Sequence, residues 1–112
     1  MHLSDIQNML KQFHTERGWN KFSASLVMTH LLEELGELSD YILIEEGYKA
    51  TGLGHDEPEK NQIEREFAQV LSLFVQLANH FDVDLENSFS AELEIMQERF
   101  PADKWAEYMN RF

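Results

Sequence analysis

Chain-breaking residues are scarce in this sequence, and that scarcity limits its folds more than any other feature. Two prolines and five glycines punctuate 112 residues, and the segments between them carry apolar residues at helical spacing. Ile6, Met9, Leu10 and Phe13 mark a first helix, capped by Ser4 or Asp5 and closed by Gly18. Trp19-Asn20-Lys21-Phe22 then reads as a connector. Ser23 caps a second helix running to about Glu46, ahead of Gly47, with Leu31, Leu35, Leu38 and Ile42 as its core stripe. Gly47, Gly52, Gly54 and Pro58 make the next stretch a loop. Its two close glycines follow no strand, which argues against a phosphate-cradling loop. A third helix runs from about Glu59 to Phe81, with Ile63, Phe67, Val70, Phe74 and Leu77 on one side. Asp84 caps a fourth, carrying Leu85, Phe89, Leu93, Met96 and Phe100. Pro101 interrupts it, and Asp103 to Phe112 form a short amphipathic end. No segment alternates with period two for long enough to be a strand. The expectation is an all-α chain, a four- to five-helix bundle, with residues 1–112 as one domain.

Composition narrows the function classes. At 43% hydrophobic the chain is no disordered acidic tail. Against 21 Asp and Glu stand 9 Lys and Arg, a net charge of -12. That balance excludes a phosphate-backbone surface and an anionic membrane, so neither nucleic acid nor membrane is an expected partner. With no cysteine there is no disulfide framework and no thiolate zinc site. Met1-His2-Leu3-Ser4-Asp5-Ile6 lacks the basic start and apolar run of a signal peptide, and no apolar stretch approaches ~18 residues. A cytoplasmic location is expected.

Most of the carboxylates read as solvated helix faces, but two groups do not. At about 100° per residue, His30, Glu34, Glu37 and Tyr41 share a narrow wedge of the second helix that borders its apolar stripe. Glu34 and Glu37 are like-charged i,i+3 neighbours, which costs a few tenths of a kcal/mol. Gly36 between them costs up to about 1 kcal/mol more. Two penalties at one place suggest a compensating use: a cation for the pair, and close backbone packing at Gly36. On the third helix, Glu66 is flanked by Val70 and Leu73, with Gln69 one step round. Such a carboxylate is partly desolvated unless a metal ion, or a Lys or Arg from another helix, pairs it. Carboxylates at i,i+3 on facing bundle helices can converge on one hard divalent cation. Mg²⁺ takes oxygen ligands and commonly keeps waters and substrate phosphates. Trp19 and Phe22 could stack on a nucleobase or pack between helices. His30 could meet a phosphate, a water or a neighbour. Asn79 and Asp82 could complete a metal or phosphate shell, or cap the third helix.

Leu31-Leu32-Glu33-Glu34-Leu35-Gly36-Glu37-Leu38, followed by Glu66-Phe67-Ala68-Gln69 and then Phe81-Asp82-Val83-Asp84-Leu85-Glu86, resembles the MazG-like nucleoside triphosphate pyrophosphohydrolases. Their signature is Glu-Glu-x-x-Glu on one helix and Glu-x-x-Asp on the next. Glu-Arg-Gly-Trp at 16–19 is similar to the N-terminal region of some members. The resemblance implies Glu34, Glu37 and Glu66 as Mg²⁺ ligands, with Mn²⁺ as an alternative ion, and Glu33 as the acidic neighbour that orients the attacking water. It implies hydrolysis of a nucleoside triphosphate to the monophosphate and pyrophosphate, and a homodimer or homotetramer; for such a substrate Trp19, His30 and Asn79 are the expected contacts. Gln69 stands where the family has aspartate; its amide oxygen can still coordinate a cation but adds no charge. Glu92 and Met96 fall where many members carry Lys and Asn, if Arg99-Phe100-Pro101 marks the end of that helix. The alternative is a MazG-like binding or regulatory module with impaired catalysis. Trp105, Tyr108, Met109 and Phe112 read as subunit packing.

Overall fold

The computed structural model describes residues 1–59 and 61–112. Its elements are α1 (Leu3–Glu16), a 3₁₀ turn (Trp19–Lys21), α2 (Ala24–Glu45), α3 (Gln62–His80), α4 (Leu85–Arg99) and α5 (Ala102–Met109). The chain is all-α, as expected. The described residues hold no strand, only an isolated bridge between Thr51 and His55 in the loop after α2.

The helix starts follow from local hydrogen bonding. α1 begins earlier than a cap at Ser4 or Asp5 would allow, because His2 takes the cap position. Asp5 contributes from within the first turn, accepting the His2 backbone N–H at 2.8 Å. Ser23 caps α2 by accepting from the Leu26 N–H, and Asp84 caps α4 by accepting from the Asn87 N–H at 3.1 Å. The expected start of the third helix near Glu59 takes in Lys60, which lies outside the described residues; α3 itself begins at Gln62.

α2 and α3 form the central pair and run antiparallel. Glu34 and Glu37 of α2 meet Glu66 early in α3, whereas Trp19, ahead of α2, meets Gln76 late in α3. α1 packs across α3, and its buried Gln7 fastens three elements together. The Gln7 amide donates to Asn79 Oδ1 at 3.0 Å and to the Val83 carbonyl at 2.8 Å. It also accepts the Leu85 N–H at 2.9 Å, while Asn79 donates back to the Gln7 carbonyl at 3.0 Å. The end of α3, the turn through Asp82 and the start of α4 are thus pinned to α1.

The core is small. Val27, Leu31, Val75 and Ala78 are the buried hydrophobic residues among those described. Of the expected α2 stripe, Leu31 is buried and Leu38 half-buried, but Leu35 and Ile42 are exposed. On α3, Phe67 and Phe74 are exposed, and so are Phe89, Leu93 and Phe100 on the α4 side. The helical periods are there, but α3 is apolar on two faces and one chain covers only one of them. The expectation of close packing at Gly36 is also corrected: a Cβ there would meet nothing within 4 Å.

Candidate functional site

The i,i+3 spacing on α2 and the antiparallel register of α3 bring three carboxylates to one point. Glu34, Glu37 and Glu66 each offer an oxygen, and these lie within 4.8 Å of one another. Glu66 is 7% exposed. Its position one helical turn from Val70 predicts that burial, since the turn places it at the α2–α3 contact. One oxygen of Glu34 and one of Glu66 are buried with no hydrogen-bond partner. No Lys or Arg among the described residues reaches salt-bridge distance of the three; the His30 imidazole stands beside them, its Nε2 3.3 Å from Glu34.

The electrostatics follow from crowding. Burial, reinforced by the neighbouring Glu34, pushes the Glu66 pKa above its ordinary value. The close approach of Glu66 pushes Glu37 up as well, with the Glu33 charge adding a smaller push. Buried, unpartnered carboxylate oxygens in such an array are costly unless a cation satisfies them. The donor set is all oxygen, which suits Mg²⁺ or Mn²⁺ and not a soft metal. The residues therefore fit a hard divalent ion.

A groove of about 900 Å³ opens beside this cluster between α1, the 3₁₀ turn, α2 and α3. Glu34, His30, Gln69 and Ser72 line its polar part. Phe13, Trp19, Phe22 and Leu26 line its apolar part. From Glu66 to Gln76 the α3 axis rises about 15 Å, so the groove joins a carboxylate end to an aromatic end.

Of the residues singled out from sequence, the structure gathers Glu34, Glu37 and Glu66, and places His30, Gln69 and Trp19 along the groove. Glu33 is exposed and outside the triad, near enough for its charge to be felt by Glu37. Asn79 spends both amide atoms on Gln7. Sequence reading missed His14, which is 6% exposed and lines the groove. Its spacing from Leu10 and Gln7, on the buried side of α1, was the available signal.

Fold and site together define an all-helical chain with a convergent carboxylate triad beside an aromatic groove. No family model matches the chain. It is 28% identical to the uncharacterized protein YvdC of Bacillus subtilis (strain 168), over 89% of this chain and 97% of that protein. It is also 28% identical to human dCTP pyrophosphatase 1, over 89% of this chain and 59% of that protein's length. The second likeness suggests a nucleotide pyrophosphatase superfamily. No helix among the described residues is long and apolar enough to cross a membrane.

Proposed function

We propose that this chain is a MazG-like, divalent-metal-dependent nucleoside triphosphate pyrophosphohydrolase, releasing the nucleoside monophosphate and pyrophosphate. The observation that carries this reading is the triad Glu34, Glu37 and Glu66, with two buried oxygens left without partners beside the groove. The likeness to human dCTP pyrophosphatase 1 supports it. Glu34, Glu37 and Glu66 would hold Mg²⁺ or Mn²⁺, which supplies Lewis-acid polarisation of phosphoryl oxygens and acidifies a coordinated water. Trp19 and its aromatic neighbours take the base by stacking, and the distance along α3 sets the phosphates at the carboxylate end. His30 is placed to donate to a phosphate oxygen or a water from its position beside Glu34. Glu33, exposed on the outer side of the triad, is the group assigned to orient the attacking water. A cytoplasmic homodimer or homotetramer completes the proposal.

The test is direct. The purified protein is incubated with each common ribo- and deoxyribonucleoside triphosphate in Mg²⁺ or Mn²⁺, and pyrophosphate release is measured. Turnover of at least one substrate that stops with chelator is expected; no release from any sinks the reading.

A second reading rests on Gln69, which lines the groove one turn beyond Glu66 but brings no charge. It makes the chain an impaired relative that binds nucleotide without efficient turnover. Gln69→Asp separates the two. A rise of about 10–100-fold in turnover, the span typical of changes to metal-supporting groups, marks the native protein as a weakened catalyst. Unchanged turnover removes Gln69 as the cause of any weakness.

A further inference from the structure

His14 is a polar ring among aromatic neighbours, and no side chain or carbonyl of the described residues hydrogen-bonds to its nitrogens. It is 6% exposed. The Phe13 ring meets it edge-on at 5.7 Å, and the Trp19 ring lies near-parallel at 6.1 Å and 29°. Those contacts fix the plane of the imidazole. Burial first, and the Arg17 charge second, hold its pKa below 6.5. The ring is therefore neutral near pH 7, with one nitrogen a donor and the other an acceptor. Ring nitrogens that the protein leaves unbonded are free to donate to or accept from a bound molecule. The ring lines the groove together with Ser72 and Gln76 of α3. Gln76 turns its amide nitrogen to the Trp19 carbonyl at 3.4 Å, which leaves its own oxygen as an acceptor.

We propose that His14 determines base specificity: its groove-side nitrogen reads the hydrogen-bonding edge of the nucleobase that stacks among Phe13, Trp19 and Phe22. The inference rests on the nucleotide reading above. Aromatic stacking tolerates every base, because each has a π face. Discrimination needs a fixed polar group, and sites that hydrogen-bond a substrate reject analogues that cannot return the bond. His14 is such a group, held on α1 by its packing against Phe13 and Trp19.

The experiment uses the full chain with His14→Phe, which keeps ring packing and removes the nitrogens. For each nucleoside triphosphate, kcat and KM are measured with Mg²⁺. In parallel, binding of the four nucleoside monophosphates is measured by calorimetry in EDTA. The preferred base is expected to lose about tenfold in kcat/KM, through KM rather than kcat, while poorer bases change little. The same flattening is expected in monophosphate binding. Wild-type hydrolysis with a base ranking unmoved by His14→Phe overturns this inference and leaves the function standing. No hydrolysis by the wild type, but monophosphate binding whose ranking depends on His14, overturns the catalytic reading and supports the inference. Absence of both overturns the two together. If His14→Phe does not fold, His14→Gln serves instead: a changed ranking supports the role and an unchanged one overturns it.

Discussion

Glu66 is buried and lies beside Glu34, and each of those facts favours its protonated form. Its folded-state pKa is raised, so the sign of the linkage runs opposite to that of a salt-bridged acid. The stabilisation is complete below the ordinary carboxylate value and is lost as pH rises through the elevated one. Without metal, the melting temperature should therefore fall between acidic and neutral pH. With Mg²⁺ the fall should be offset, because binding requires the deprotonated triad and stabilises the folded state alone. Glu66→Gln is expected to raise the neutral-pH melting temperature of the metal-free protein and to abolish the Mg²⁺ response. Thermal melts across pH, with chelator and with Mg²⁺, check all three, and an Mg²⁺ shift retained in Glu66→Gln would contradict the ligand assignment. Gly36 makes a simpler case. Open space surrounds its missing side chain, so Gly36→Ala should stabilise α2 by up to about 1 kcal/mol. A loss of stability would mean that another chain approaches there. The triad was legible in sequence because helical spacing fixes angles: i,i+3 on α2 and the apolar flanks of Glu66 sufficed. His14 was not, since a lone polar residue on an apolar stripe looks the same whether its ring is satisfied internally or open to a groove.

Among the elements, the junction of α1, α3 and α4 depends on one amide. Gln7 satisfies Asn79, the Val83 carbonyl and the Leu85 N–H. Leu at position 7 would leave these part-buried groups unpaired, and the expected loss is at least about 2 kcal/mol. Gln7→Glu keeps an acceptor for the Leu85 N–H but cannot donate to Asn79 or Val83, so an intermediate loss is expected in urea titrations. Equal stability for all three proteins would show that α4 is held in some other way. The helix count, the capping of α2 and α4 by Ser23 and Asp84, and the break at Pro101 all came from local chemistry that a sequence displays. The Gln7 clamp did not, because it links residues far apart in the chain, and Asn79 consequently read as a ligand or a cap. Local signals also failed to show which apolar face of α3 would be covered. Both faces carry a helical period, and only the positions of α1 and α2 choose between them.

At the scale of the whole molecule, the exposed apolar residues support the proposed oligomer. The chain exposes 8994 Å², whereas a compact monomer of 13.2 kDa exposes roughly 6,400 Å². Its radius of gyration is 18.3 Å, against about 13 Å for a compact chain of this length. The α4–α5 arm carries Phe89, Leu93, Trp105 and Tyr108 with little of the chain against it, and α3 turns Phe67, Leu71 and Phe74 outward. Obligate homo-oligomers bury about 2,000–5,000 Å² or more in just such apolar surface. The proposed assembly follows: second copies cover these faces, and the groove, lined by Gln69, Ser72 and Gln76 on the other side of α3, stays open. Sedimentation at micromolar concentration should find no monomer, and the melting temperature should rise with protein concentration. Phe74→Glu places a charge at the centre of the α3 face and should dissociate and unfold the protein together. A folded monomer with a sharp melt at a concentration-independent temperature would overturn the assembly. It would leave the carboxylate site intact, because Glu34, Glu37 and Glu66 all come from one chain.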